Sequence, residues 1–172
     1  MHTIEIGQLM LRPPRVEDFE QYAALYAEAE QTTFGFMTLS REDAWSRLLR
    51  FVGHWSVFGY GLFVAEERPS GRIVGEMGVA YFQRTVDPSC EGLPEAGWRV
   101  AQSMRGRGVA TEGMQAILSW FDSQIEAPRT FCLIHPDNVR SQRVASRLGY
   151  RELSRGQFRA APIISLIRDR SQ

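Results

Sequence analysis

The feature that most constrains the fold is a change of hydrophobic periodicity between residues 95 and 125. Residues 95–100 alternate as a strand does, and apolar side chains then recur at helical spacing over residues 110–125. A glycine-rich turn at residues 105–108 joins the two patterns. Because a near-continuous apolar run follows at residues 131–134, the pattern predicts a β-α-β unit with a parallel strand pair and a right-handed crossover.

Shorter patterns place the other elements around this unit. A strand at residues 9–11 precedes a helix at residues 16–30, and Ser40 with Asp43 predicts the cap of a second helix. Asn138 is suited to cap a last helix. Further strands are predicted at residues 60–65, 73–82, 150–153 and 162–168. We therefore predict one domain of the mixed α/β class, a three-layer sandwich in which helices flank a central mixed, mostly antiparallel sheet of about seven strands.

Composition excludes several classes of protein. The 172 residues suit a single domain, and a formal net charge of zero gives no bulk positive field to hold nucleic acid. Two cysteines are too few for a disulfide scaffold, and no apolar stretch reaches the ~20 residues of a membrane span. We expect a cytoplasmic protein without a secretory signal, bound to neither nucleic acid nor membrane. No His, Cys, Asp or Glu spacing indicates a metal site.

The turn at residues 105–108 predicts an anion-binding site. Its glycines let the backbone approach a ligand, and the N–H groups of residues 107–110 converge at a helix N-terminus, which favours anions. Arg105 and Arg107 add charged donors for phosphate oxygens. A P-loop and a complete Rossmann fingerprint are both absent. A plain turn with solvated arginines, and an adenine-dinucleotide or RNA-binding domain, remain open alternatives.

The same turn resembles the signature of a known family. Residues 105–110 read Arg-Gly-Arg-Gly-Val-Ala, similar to the Gln/Arg-x-x-Gly-x-Gly/Ala signature of the GNAT N-acetyltransferase superfamily. Residues 110–113 and 9–13 are similar to its Rim-type, ribosomal-protein-alanine subgroup, although Gln8 replaces a leading arginine. The resemblance implies a GNAT-like sandwich that uses acetyl-CoA as cosubstrate. It implies acetyl-CoA binding by Val100, Arg105, Gly106, Arg107, Gly108, Val109, Ala110, Thr111, Asn138 and Ser141.

A second segment, residues 138–150, resembles the Asn-x-x-Ser…Leu-Gly-Phe helix of that subgroup. The Asn138 amide is suited both to cap the helix and to bond the pantetheine arm. In many GNAT enzymes a tyrosine seven residues after this asparagine protonates the departing thiolate, but Ala145 stands here. The resemblance implies Ser141 as the replacement acid, and an exposed serine in the first helical turn is the alternative.

Acetyl transfer also needs a base for the ammonium group and donors for the oxyanion. Glu95 begins the strand that leads to the glycine-rich turn, and Glu76 lies in another alternating strand. Apolar neighbours would raise the pKa of either carboxyl toward that of a useful base. An ion pair at a strand end explains Glu95 equally well, and a partly wet strand face explains Glu76. The resemblance implies the backbone N–H of Val100 as oxyanion donor.

The sequence does not identify the acceptor, whose pocket is expected between the first two helices and the loop at residues 34–38. Aromatic residues that either shape this pocket or belong to the core are Phe34, Phe36, Trp45, Trp55 and Tyr60.

We predict transfer of acetyl from acetyl-CoA to a primary amine, either a protein N-terminus or a small molecule, by direct attack in a ternary complex. A non-catalytic acyl-CoA-binding module is the alternative. Residues 157–168 are a candidate edge for a homodimer.

Overall fold

In the computed structural model of the protein, the described residues are 2–27, 38–84, 86 and 90–171. In chain order their elements are β1 (Ile4–Ile6), β2 (Leu9–Arg12), α1 (Phe19–Ala27), α2 (Arg41–Phe58), β3 (Leu62–Glu67), β4 (Arg72–Ala80), β5 (Glu95–Val100), α3 (Val109–Gln124), β6 (Arg129–Ile134), α4 (Val139–Arg147), β7 (Arg151–Phe158) and β8 (Ala161–Asp169). Short 3-10 turns precede α1 and follow β5. None of the described helices is long and apolar enough to cross a membrane.

The strands form one eight-stranded sheet in the order β1-β2-β3-β4-β5-β6-β8-β7. Neighbouring strands are antiparallel except β5 and β6, which form the predicted parallel pair. The predicted mixed, mostly antiparallel sheet is confirmed, with one strand more than expected. The additional strand is β1, which pairs with β2 across a two-residue turn at Gly7 and Gln8.

Helices cover both faces of this sheet. Glu76 and Met77 are neighbours on β4, so their side chains point to opposite faces. Glu76 contacts α1 and α2, whereas the Met77 side chain meets α3 at Gly113, where an added Cβ would lie 2.3 Å from the Met77 sulfur. Glycine at position 113 therefore permits close packing of α3 on the sheet. The result is the predicted three-layer sandwich, with α1 and α2 on one side and α3, beside α4, on the other.

The predicted helix caps are present. Ser40 Oγ accepts a hydrogen bond from the Asp43 N–H at 3.1 Å at the start of α2. Asn138 Oδ1 accepts one from the Ser141 N–H at 3.1 Å at the start of α4. The first helix is shorter than predicted, because a 3-10 turn occupies residues 16–18 and α1 begins only at Phe19. Residues 28–30 of that predicted helix lie outside the described residues.

The strand at the sheet edge opposite β1 is β7, so the prediction that residues 157–168 form an edge is largely wrong. The strand β8 lies between β6 and β7, so it is paired on both sides. Of residues 157–168, only Gln157 and Phe158 lie on the edge strand. The homodimer itself stays a prediction.

Candidate active site

A gap in the sheet separates most of β5 from β6. The two strands share one ladder position, Glu95 opposite Phe131, where the Phe131 N–H donates to the Pro94 carbonyl at 3.1 Å. Beyond this position the strands separate, and a cavity of about 290 Å³ lies at the gap. Trp98 lines the cavity from β5 and Leu133 lines it from β6. Both sides of the gap therefore contribute to one site.

Main-chain donors of β5 face this gap. The Ala101 N–H donates to the Val74 carbonyl on β4 at 2.8 Å. Because N–H direction alternates along a strand, the N–H groups of Trp98 and Val100 point away from β4, toward β6. Val100 was the predicted oxyanion donor. The Trp98 N–H has the same orientation, and Trp98 is one of the residues that line the cavity. The gap thus offers two candidate donors for negative charge on a carbonyl oxygen.

The glycine-rich turn leads directly into α3. Gly106 and Gly108 have φ angles of 77° and 81°, in the left-handed region that favours glycine. Gly108 is the N-cap of α3, and the N–H groups of residues 109–111 reach no carbonyl within the described residues. The turn therefore presents several main-chain donors at the positive end of a helix, an arrangement that binds phosphate groups.

Side chains around the turn differ in their exposure. Val109 is buried in the core and anchors the start of α3, whereas Ala110 and Thr111 are partly exposed. Arg105 is partly buried. Arg107 is exposed, and in the described part of the chain it pairs with no carboxylate. Its charge is therefore available to an anion bound at the turn.

Asn138 and Ser141 line the same cavity from the start of α4. The Asn138 carbonyl oxygen caps the helix, which leaves its Nδ2 without an acceptor among the described residues. The Ser141 hydroxyl forms no hydrogen bond within the same ranges. Asn138 follows β6, so both side chains line the cavity from the β6 side of the gap, and Trp98 lines it from β5. The capping role and a ligand role are compatible in this geometry.

Glu95 borders the cavity where β5 begins. It is 9% exposed, and its carboxylate accepts a hydrogen bond from Arg84 Nε. Burial raises the pKa of the Glu95 carboxyl, and this effect exceeds the opposing effect of the Arg84 guanidinium. Both the strand-end ion pair and the raised pKa considered from the sequence are therefore present. A buried carboxyl of this kind beside a cavity is suited to accept a proton.

Glu76 also borders the cavity, but its carboxylate is already engaged. Tyr22 and Tyr26 each donate a hydroxyl hydrogen bond to one of its oxygens, and Arg47 Nη2 lies 2.7 Å from Oε2. Burial raises the pKa of both tyrosines, so their hydroxyls remain protonated donors. The expectation of apolar neighbours or a wet strand face is wrong for Glu76, since it is 3% exposed and surrounded by polar groups. The geometry favours Glu95 as the proton acceptor.

Replacing Glu76 by glutamine is expected to lower the free energy of unfolding by about 3–5 kcal/mol, because the Arg47 charge would lose its buried partner. Urea unfolding followed by circular dichroism measures this change. The matched control is Glu152→Gln, which breaks an exposed pair with Arg155 and should leave the midpoint unchanged. Equal midpoints for the Glu76 and Glu152 variants would contradict a structural role for Glu76.

The side chains that give the cavity its character were not predicted from the sequence. Its aromatic lining comes from Tyr26, Phe82 and Trp98, and its basic lining comes from Arg47, Arg84, Arg99 and Arg159. These residues come from distant segments, and only the tertiary fold brings them together. Over the described ranges, no cluster of three or more His, Cys, Asp or Glu residues is placed to hold a metal ion.

Three of the aromatic residues expected at the acceptor pocket lie elsewhere. Trp45 packs against Phe19 with ring centroids 4.9 Å apart, and Trp55 packs against Phe63 at 4.8 Å. Tyr60 is buried in the core. Tyr60 is therefore a core residue, Trp45 and Trp55 are partly buried and pack against the core, and Phe34 and Phe36 lie outside the described residues.

Comparison with known proteins places this geometry in a family. A family model for the acetyltransferase (GNAT) domain matches residues 8–151. A solved structure from Bordetella pertussis, assigned to the GnaT acetyltransferases, is 32% identical with a TM-score of 0.89. That match covers 98% of this chain and 99% of the Bordetella chain.

Two ribosomal-protein acetyltransferases share the fold at low sequence identity. The ribosomal-protein-S5-alanine acetyltransferase from Vibrio fischeri is 15% identical with a TM-score of 0.79, over 99% of this chain and 97% of that one. RimL, the ribosomal L7/L12 α-N-protein acetyltransferase, was solved in complex with coenzyme A. It is 14% identical with a TM-score of 0.79, over 98% of both chains. Proteins of the Rim type are thus among the structural neighbours of this chain.

Proposed function

The chain belongs to the GNAT acetyltransferase family, and from that premise we propose that it transfers acetyl from acetyl-CoA to a primary amine by direct attack in a ternary complex. The proposal rests on one observation: β5 carries the buried Glu95 carboxyl at the cavity, borders the gap to β6 and leads into the glycine-rich turn before α3. The coenzyme A in the RimL structure supports the choice of cosubstrate. We take residues 1–172 as a single acetyltransferase domain.

The residues present fit acetyl-CoA in three places. The N–H groups of residues 107–111, with Arg105 and Arg107, would hold the diphosphate. Asn138 Nδ2 would donate to a carbonyl of the pantetheine arm. The arm itself would pass through the gap between β5 and β6, which leads to the cavity.

Bound acetyl-CoA supplies the activated thioester, and residues of the chain carry out the proton transfers. Glu95 takes a proton from the acceptor ammonium, directly or through a water, so that the free amine attacks. The N–H groups of Val100 and Trp98 stabilise negative charge on the carbonyl oxygen. The Ser141 hydroxyl donates a proton to the departing thiolate and regains the second proton that the attacking nitrogen loses, directly or through a water. Tyr22, Tyr26 and Arg47 hold Glu76 in place and thereby shape the cavity wall.

Replacing Ser141 by alanine is expected to slow turnover about 10²-fold, near the low end for loss of a general acid, because water partly replaces the hydroxyl. The affinity for acetyl-CoA should remain nearly constant, since Asn138 and the glycine-rich turn are intact. Calorimetry with acetyl-CoA and thiol release in the presence of an amine give the two quantities. A wild-type kcat in the variant would remove Ser141 from the mechanism.

Release of coenzyme A thiol across a panel of amines tests the proposed function itself. We expect amine-dependent thiol release together with an acetylated product detectable by mass spectrometry. Tight binding of acetyl-CoA with no transfer to any amine would instead support the alternative, a non-catalytic acyl-CoA-binding module.

A further inference from the structure

Among the described residues that line the cavity, basic side chains outnumber acidic ones. Two of its arginines have carboxylate partners: Arg47 pairs with Glu76 at 2.7 Å, and Arg84 pairs with Glu95. The other two arginines that line it pair with no carboxylate in the part of the chain that the structure describes. Counted over its described lining residues, the cavity therefore has an excess of two positive charges, carried by Arg99 and Arg159.

Arg99 is held within the site. Its guanidinium lies 4.3 Å from the centroid of the Tyr26 ring, on the sheet face that also carries Glu76. Burial lowers the pKa of Arg99, because its charge has been partly removed from water. A partly buried guanidinium without a carboxylate partner is stabilised by an anion that binds beside it.

Arg159 reaches the cavity from the turn between β7 and β8. It has a φ angle of 51° and the next residue, Ala160, has 64°, so two residues with side chains occupy a conformation that glycine or asparagine normally takes. The Arg159 guanidinium lies 5.3 Å from the Phe158 ring, and Arg84 lies 4.8 Å from the same ring. The turn thus adds a second cation at the rim of the cavity that has no carboxylate partner in residues 2–27, 38–84, 86 and 90–171.

Room for a ligand lies between the opposite charges on β5. Glu95, Gly97 and Arg99 alternate on one face of the strand, and a Cβ added at Gly97 would meet nothing within 4 Å. Glu95 and Arg99 are separated by about 13 Å along the strand. A molecule above Gly97 would therefore have a carboxylate on one side and a guanidinium on the other.

We propose that the acceptor is a small amine that also carries a carboxylate, with its ammonium toward Glu95 and its carboxylate bound by Arg99. This inference rests on the proposed function, since it names the acceptor class of the same site. Arg159 adds to the attraction for the carboxylate. Polyamines are disfavoured because they would meet unpaired arginines. A cavity of about 290 Å³ has the size of a small-molecule site.

Matched pairs of amines test the proposal, each pair differing only in a carboxylate. Suitable pairs are L-phenylalanine with phenethylamine, L-leucine with isopentylamine, and L-methionine with 3-(methylthio)propylamine. Spermidine and a neutral hexapeptide represent the other acceptor classes. We expect kcat/KM at least tenfold higher for the carboxylate-bearing member of an accepted pair than for its partner, spermidine or the peptide.

Three variants separate recognition of the carboxylate from general damage. Arg99→Gln should lower kcat/KM at least tenfold for the carboxylate-bearing amine and leave that of its decarboxylated partner unchanged. Arg159→Asn, which suits the left-handed backbone and should fold, is expected to act in the same direction. Arg151→Gln removes an exposed arginine on the edge strand and serves as the charge-matched control.

Each result bears on the proposal. The proposal would be overturned if Arg99→Gln lowered kcat/KM equally for both members of a pair. It would also be overturned if the unmodified protein preferred decarboxylated amines, spermidine or the peptide. If Arg99→Gln does not fold, Arg159→Asn alone shows whether kcat/KM falls only for the carboxylate-bearing amine or equally for both members of a pair. Absence of transfer to any amine would overturn the proposed function as well. Transfer to amines without the preference for a carboxylate would overturn only the acceptor class.

Discussion

Replacing Glu95 by glutamine is expected to lower kcat/KM about 10²- to 10⁴-fold, the usual contribution of a positioned base. The glutamine side chain keeps the size of the carboxyl and its contact with Arg84, but it cannot accept the proton of the ammonium group. In the unmodified protein kcat/KM should rise with pH through the raised pKa of Glu95, because only the ionised carboxyl is a base. The variant should lose that rise.

Measuring the stability of Glu95→Gln distinguishes loss of the base from damage to the fold. Because the pKa of Glu95 is raised in the folded state, its contribution to stability is complete at acid pH and is lost as pH rises through that raised pKa. A neutral glutamine avoids this loss, which opposes the loss of the ion pair with Arg84. The variant should therefore lose less stability at neutral pH than Glu76→Gln. A Glu95→Gln variant with unmodified kcat/KM would exclude Glu95 as the base.

Replacing Gly108 by tryptophan is expected to weaken acetyl-CoA binding at least about 100-fold. The indole would stand beside the first N–H groups of α3, where the diphosphate is proposed to bind. Loss of two hydrogen bonds to a charged group, at about 1.5 kcal/mol each, corresponds to that factor. Isothermal titration calorimetry with acetyl-CoA measures the change directly.

Strain needs a matched control, because Gly108 has a φ of 81° and any side chain there is unfavourable by about 1–2 kcal/mol. Gly59→Trp provides it. Gly59 has a φ of 71°, ends α2 and has nothing within 4 Å of an added Cβ. Both variants should lose similar stability, and only Gly108→Trp should lose acetyl-CoA. Similar affinities in the two variants would argue against the glycine-rich turn as the binding site.

Local chemistry explains why much of the fold was predictable. The change from strand to helical period around residues 105–108, and the capping side chains Ser40 and Asn138, act within a few residues along the chain. Such signals are visible in the sequence because the interacting groups are sequence neighbours. The first strand was missed although Gly7 marked its turn, since three residues give a weak alternating pattern.

The character of the site depends on contacts that no local pattern contains. Glu76 was expected among apolar neighbours, yet its partners Tyr22 and Tyr26 come from a helix and lie 54 and 50 positions earlier in the chain. One signal was present: tyrosines four residues apart on a buried helix face need partners for their hydroxyls. The positions of Arg84 and Arg159 beside the cavity depend on loops whose paths the sequence did not indicate.

The amide signals of the glycine-rich turn test the central proposal most directly. In a ¹⁵N-labelled sample titrated with acetyl-CoA, residues 106–111 should show the largest shifts, with smaller shifts at Trp98, Val100 and Asn138. Hydrogen bonds from these amides to a diphosphate would account for such a pattern. Saturable binding that leaves the signals of residues 106–111 unmoved, with the largest shifts elsewhere, would contradict the account.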